Sequence, residues 1–103
     1  MFLPEALKEF RALDGSVREP LKKLLAKRLD QPHVPGGELS ADLAGCYKIK
    51  LLKHGIRLVY QVEDDVLIVL ALTVDRREDS AAYKSAVKRL SEAAVTLAKA
   101  RGR

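Results

Sequence analysis

Three stretches decide the fold: Cys46-Tyr-Lys-Ile-Lys-Leu-Leu52, Arg57-Leu-Val-Tyr-Gln-Val62 and Val66-Leu-Ile-Val-Leu-Ala-Leu-Thr-Val74. Each alternates. Tyr47, Ile49 and Leu51 stand against Lys48 and Lys50, and Leu58, Tyr60 and Val62 against Arg57, Val59 and Gln61. In the third, Val66, Ile68, Leu70, Leu72 and Val74 stand against Leu67, Val69, Ala71 and Thr73. A period of two sends successive side chains to opposite faces of a sheet. The breaks at His54-Gly55 and Asp64-Asp65 are short enough for an antiparallel meander.

Parity then groups charges. A four-residue turn over 53–56 puts Leu52 opposite Arg57, Lys50 opposite Val59 and Lys48 opposite Gln61. Lys48, Lys50 and Arg57 then share one face, while Ile49, Leu51, Leu58 and Tyr60 stay together on the other. Thr73, Asp75 and Arg77 share the cationic face if the chain stays extended past Val74. Tyr83, one turn into the next helix, can point at the same concavity.

Outward from the strands, residues 4–13 read as a short helix with Pro4 in its first turn and Ala6, Leu7, Phe10 and Leu13 in a stripe. Asp14-Gly15 breaks it. Ser16-Val-Arg-Glu19 reads as a capping box opening a second helix to about Leu29. Its apolar positions are Val17, Leu21, Leu24, Leu25 and Arg28/Leu29. Residues 30–45, with Pro32, Pro35, Gly36, Gly37 and Gly45, form a loop pinned by Leu39 and Leu43. A last helix starts near Ser80 and runs to about residue 100, with Tyr83, Val87, Leu90, Ala94 and Leu97 in its stripe. The order α-α-β-β-β-α implies an α+β fold: a small antiparallel sheet of three to four strands, a helical hairpin on one face and a C-terminal helix.

The chain has 103 residues, so residues 1–103 are expected to form one domain. Its 19 Lys+Arg and 14 Asp+Glu give a net charge of +5, unevenly placed. Residues 1–45 balance at zero, 46–62 carry +4, 63–79 carry −4 and 80–103 carry +5. A basic block inside a strand pair suggests a polyanion such as nucleic acid. The plainer alternative is a solvated edge guarded by lysines. No apolar run is long enough to span a membrane, and Met1-Phe-Leu-Pro-Glu5 is no secretory signal. The single cysteine, Cys46, excludes an internal disulfide and fits a reducing cytosol. No metal-ligand spacing exists, so no metal or cofactor is expected.

Cations gathered on one open face repel one another unless an anion sits there. A phosphodiester fits. RNA cleavage without metal needs a base for the 2′-OH, charge to stabilise the phosphorane and an acid for the leaving oxygen. His33, in the Pro-rich loop, and His54, at a hairpin tip, read as surface residues. Lysine serves as a base where neighbouring cations disfavour its charged form, and Lys50 beside Lys48 and Arg57 meets that condition. Arg57 and Arg77 suit phosphate contact, since arginine grips it with two parallel hydrogen bonds. Tyr83 can stack on a base or orient the 2′-OH; equally, it opens the apolar stripe of its helix. Cys46 reads as a buried strand thiol without catalytic role.

The segments Glu5-Ala-Leu-Lys-Glu-Phe10, Ser16-Val-Arg-Glu19, Cys46-Tyr-Lys-Ile-Lys-Leu51, Gly55-Ile-Arg-Leu-Val-Tyr-Gln-Val62 and Arg76-Arg-Glu-Asp-Ser80 with Tyr83 resemble the RelE toxins of the RelE/ParE toxin–antitoxin superfamily. The resemblance spans about residues 2–90. It implies a cytoplasmic, ribosome-dependent mRNA endonuclease that cuts the codon in the A site. It implies Lys50 as general base and Lys48 as its paired strand lysine. Arg57 would bind phosphate, Arg77 would serve the leaving group and Tyr83 would stack on or orient substrate. Lys53 and Arg76 would add RNA contacts. The implied partners are a RelB-like antitoxin, in a hetero-oligomer, and the ribosome with its mRNA. No membrane is implied.

The sequence departs from the family pattern in places. Only Met1-Phe-Leu3 stands where a first β-strand is usual: either the true start lies upstream or the sheet has lost most of that strand, which puts its stability or the cover of its edge in question. Asp75 and Asp79 put acids beside Arg77. Residues 91–103 run past the usual end, and the basic helix 80–103 is a plausible antitoxin dock. Two other functions share the fold: a ParE-like gyrase poison, and a weakened or inactive relative that acts by binding its antitoxin.

Overall fold

The strands form where alternation places them, and the computed structural model gives their order as β1-β2-β3, antiparallel throughout. It describes residues 1–34, 37–51, 53, 55–63, 66–74 and 80–100, without the side chains of 74, 80, 81 and 100. The elements are α1 (Pro4–Arg11), α2 (Gly15–Asp30), a 3-10 turn at Ala41–Leu43, β1 (Cys46–Leu51), β2 (Ile56–Glu63), β3 (Val66–Val74) and α3 (Ser80–Ala100). The expected α-α-β-β-β-α order holds.

The β1–β2 register differs from expectation. Lys50 pairs with Arg57, Lys48 with Val59 and Cys46 with Gln61. The turn has four residues, but they are 52–55, not 53–56. Gly55 supplies the reason: its φ of +69° is a left-handed conformation that favours glycine, so it closes the turn and Ile56 opens the strand. Each strand slips by one residue, which leaves parity unchanged. Lys48, Lys50 and Arg57 still share a face.

The uniform alternation expected of β3 is broken. Val59 pairs with Ala71 but Tyr60 with Val69, so Leu70 is an extra residue, a β-bulge. Parity reverses there. Thr73 and Ala71 share the Arg57 face, and beyond the bulge Ile68 and Val66 join them rather than Leu72 and Val74. A bulge re-aims side chains, and here it allows β3 to be apolar toward both layers.

The opposite face carries Tyr47, Ile49, Ile56, Leu58, Tyr60 and Leu72, all buried. Helix α2 and the residues after it cover this face. Arg28 Nη1 donates to Tyr60 Oη at 3.2 Å, and Tyr60 Oη donates to Pro32 O at 2.9 Å. Tyr47 stacks on Tyr60 with centroids 5.5 Å apart, and its hydroxyl lies 3.1 Å from His33 Nδ1. The stripe of α2 therefore ends on Arg28, with Leu29 63% exposed. Arginine is admitted because a tyrosine hydroxyl inside the layer supplies a polar partner. Tyr60→Phe should cost about 1–2 kcal/mol, since it strands the Pro32 carbonyl and the Arg28 donor while keeping the ring; chemical denaturation measures it.

Helix α2 starts two residues before the proposed capping box. Asp14 is the N-cap, and its carboxylate accepts from Ser16 N and Ser16 Oγ. The bond with the Ser16 hydroxyl holds the Asp14 carboxyl below its ordinary range. Glu19 pairs instead with Lys22 at 3.4 Å, on the surface. Aspartate is as good a cap as serine and comes first in the chain.

The outer edge of β3 is covered. Phe2 forms a parallel bridge with Val69; Val69 N donates to Met1 O at 2.8 Å and Leu3 N to Val69 O at 3.0 Å. Leu3 is buried, and the Phe2 ring tilts on Phe10 at 5.1 Å. Three residues, Met1–Leu3, thus occupy this edge as a truncated first strand. Further along it, Glu9 accepts from Leu72 N and Arg89 donates to Leu70 O. At the other edge, Leu39 N donates to Cys46 O at 2.8 Å, and Leu43 is buried, so the long loop is pinned as expected.

Helix α3 packs on β3 and β2. Its buried residues are Ala82, Ala86, Ala93 and Leu97, whereas Val87 is 39% exposed and Ala94 lies outside. Leu97 is buried and Tyr83 and Leu90 pack against the core as expected, while Ala82, Ala86 and Ala93 take the deepest positions in place of Val87 and Ala94. Alanines let the helix axis approach the sheet, which a stripe of larger residues would prevent.

Candidate functional site

The bulge and the register together build a row across the sheet. Lys50, Arg57 and Thr73 are paired laterally, one from each strand, on a single face. Lys48 lies two residues along β1 on that face. Directly paired side chains on a sheet have Cβ atoms about 5 Å apart. Two unit charges at that distance repel by about 1 kcal/mol in water and more beside protein. Lys50 is exposed, Lys48 and Arg57 are half-buried, and Arg57 Nη1 is withdrawn from solvent. The row thus presents one exposed amine beside one half-buried, planar cation.

Helix α3 lies against this face, with Ala82, Ala86, Ala93 and Leu97 buried along its length. Gln61, Glu63 and Ile68 meet Leu90, Ala93, Ala94 and Leu97 around a shallow cavity. Arg89 is tied to Leu70, so the helix runs back along β3. From Arg89 to Tyr83 it rises about 9 Å, and from Leu70 to Thr73 the strand rises about 10 Å. By this spacing Tyr83 falls toward the Thr73 end of β3. It is half-buried and packs against the core, as the core reading of this residue expects.

Lys53 is exposed between β1 and β2. Arg76, Arg77, Asp75, Asp79 and His54 lie outside the described residues. His33 is exposed and its ring meets Tyr47, on the face away from the cations. No group of three or more His, Cys, Asp or Glu placed to hold a metal occurs among the described residues. Among them too, no helix is long and apolar enough to cross a membrane.

Cys46 lies on the Lys48 face but is fully buried. Burial, with the nearby Glu38 charge adding, pushes its thiol up to about 11. Glu38 is held there by the Gly45 amide at 2.9 Å. At pH 7 the sulfur stays a thiol, a poor nucleophile. Iodoacetamide should leave Cys46 unmodified in the native protein and alkylate it readily in denaturant; rapid native alkylation, read by mass spectrometry, contradicts this.

Two residues at the site escaped sequence reasoning. Arg28 reaches Tyr60 from behind the row and lies 3.5 Å from Lys48 O; its only signal was a charge in an apolar stripe. Thr73 was placed on the right face but given no role. Its Oγ1 is buried and has no hydrogen-bond partner among the described residues. An orphaned hydroxyl costs about 1–3 kcal/mol.

Comparisons with known proteins bear on the family and the fold. The family model described as "ParE toxin of type II toxin-antitoxin system, parDE" matches residues 1–81. The mRNA interferase toxin RelE of Escherichia coli is 46% identical over 89 residues, covering 86% of this chain and 93% of its own. The mRNA interferase RelE of Shigella flexneri matches equally well. Among solved structures, the isolated E. coli RelE toxin superposes with a TM-score of 0.69 at 43% identity, covering 86% of this chain and 94% of its own. The toxin in the intact E. coli RelBE toxin–antitoxin complex gives 0.68 at 44% identity, covering 74% and 94%.

Proposed function

Because this chain belongs to the RelE/ParE family of type II toxins, we propose that it is an mRNA endonuclease that acts on the ribosome and cuts the codon in the A site. The observation that carries the reading is the lateral pairing of Lys50 with Arg57, with Lys48 beside them, in a chain 46% identical to an mRNA interferase.

In this reading Lys50 takes the proton of the 2′-OH, and the freed oxygen attacks the adjacent phosphorus. Arg57 and Lys48 hold the non-bridging oxygens, on which charge builds in the transition state. Arg77 serves the departing 5′-oxygen, stabilising or protonating it as the phosphorus–oxygen bond breaks. Tyr83 stacks on a base or orients the attacking hydroxyl. Lys53 and Arg76 contact the RNA backbone. Side chains alone supply base, acid and positive charge, so the reaction needs no metal.

Residues 1–103 act as one toxin domain in the cytoplasm. A RelB-like antitoxin silences it in a hetero-oligomer, as the E. coli RelBE complex supports, and the basic helix α3 is its dock. Primer extension on programmed ribosomes tests the reading: purified protein should produce breaks inside the A-site codon and none in the same mRNA off the ribosome. The matching family model carries the ParE name, so the alternative is a gyrase poison. Accumulation of gyrase-cleaved DNA without A-site breaks would establish it. Growth arrest with neither product would point to a binding protein.

A further inference from the structure

Thr73 is the one polar residue in the otherwise aliphatic strand Val66–Val74. Its hydroxyl is shut off from solvent with no hydrogen-bond partner among the described residues. Valine has the same shape, suits strands equally and carries no such penalty. A buried hydroxyl with no partner among the described residues is available to one that forms in another state of the site. Register names the candidate: Thr73 is laterally paired with Arg57, which pairs in turn with Lys50.

A guanidinium has five N–H donors in a rigid plane, and a phosphate takes two of them along one edge. The Nη1 atom of Arg57 is withdrawn from solvent like the Thr73 hydroxyl, so a donor on the inner edge of the fork is served by an acceptor from the protein rather than by water. We propose that Thr73 is a positioning residue for the scissile phosphate: its Oγ1 accepts a hydrogen bond from the inner edge of the Arg57 guanidinium once the outer edge engages RNA. The hydroxyl fixes the plane of the fork against the phosphate and touches no reacting atom. It thus acts in the transition state, where charge on the phosphate is greatest. The inference rests on the RNA-cleaving reading and adds a residue to it.

Single-turnover cleavage on programmed ribosomes, with the full chain, tests it in three forms: unaltered, Thr73→Val and Thr73→Ser. Thr73→Val should cut the maximal rate about tenfold, while the concentration giving half that rate stays within about twofold. Its melting temperature should not fall, since the orphaned hydroxyl is gone. Thr73→Ser should recover most of the rate, because it restores the hydroxyl and not the methyl. In an Arg57→Lys background, which lacks the planar fork, Thr73→Val should add little further loss.

Thr73→Val cutting at the unaltered rate overturns the proposal. So does a loss that Thr73→Ser fails to repair, or one that persists undiminished beside Arg57→Lys. Failure of the unaltered protein to cut at all is a separate result, which removes the endonuclease reading and this proposal with it.

Discussion

Lys50→Ala is expected to slow cleavage of ribosome-bound mRNA by about a hundred- to ten-thousand-fold, the range a positioned general base supplies. Arg57→Ala should lose about a hundred- to a thousand-fold, the usual share of one group aimed at developing charge. Arg57→Lys should recover little, because an ammonium on a flexible stem cannot reproduce a planar two-point grip. Arg77→Ala should likewise abolish detectable cutting. These losses come without unfolding. Lys50 is exposed at the surface, and substitutions at such sites usually stay within about 0.5 kcal/mol. Primer extension and thermal denaturation on the same samples separate the two effects. A folded Lys50→Ala protein that cuts like the unaltered one removes this lysine from the chemistry.

The largest effect on stability belongs to Arg89. Its Nη1 donates to Glu9 Oε1 and to Leu70 O, both at 2.9 Å, and Nη2 donates to Glu9 Oε2 at 3.2 Å. Glu9 Oε1 also takes the Leu72 amide at 3.1 Å. The pair closes the edge of β3 at the bulge, where Leu70 and Leu72 have their outward backbone groups. It joins α1, β3 and α3 in one knot. The side chains are 18% and 30% exposed, against 59% and 69% for Lys22 and Glu19. The surface pair is worth at most about 0.5 kcal/mol. Breaking a fully buried pair costs about 3–5 kcal/mol, and partial exposure lowers that figure here. Arg89→Met is therefore expected to cost about 2–3 kcal/mol, or roughly 10 °C or more in melting temperature for a domain of this size. A double-mutant cycle with Glu9→Gln should show coupling of about 1 kcal/mol or more. Purely additive losses would mean that the two residues serve the backbone separately.

The two results also test how far stability and chemistry are separate in this fold. Arg89 fastens α3, which carries Tyr83, to the bulge of β3. Arg89→Met should thus disturb cleavage more than a surface change of equal cost.

Much of this was legible in the chain itself. Alternation in Cys46–Leu51 and Val66–Val74 set strand type, and the short breaks set the meander. Parity alone put Lys48, Lys50 and Arg57 on one face, and that survived a register error because both strands slipped by one residue. The motifs around Cys46-Tyr-Lys and Gly55-Ile-Arg identified the family. The exact pairing of Lys50 with Arg57 was not legible, since it depends on Gly55 rather than Ile56 closing the turn.

The other misses share one cause. Alternation is a local signal with a period of two residues, and it cannot register an insertion held in place from a distance. The bulge at Leu70 is braced by Glu9 and Arg89, 61 and 19 residues away along the chain. The edge of β3 is covered by Met1–Leu3, and the aliphatic stripe of α2 gives way to Arg28 because Tyr60 offers it a hydroxyl. The sequence by itself determined which residues are strand, which face is cationic and which family the chain joins, because each of these follows from near neighbours. Only the tertiary structure decided that Lys50, Arg57 and Thr73 form one row. That alignment is fixed by contacts between segments far apart in the chain.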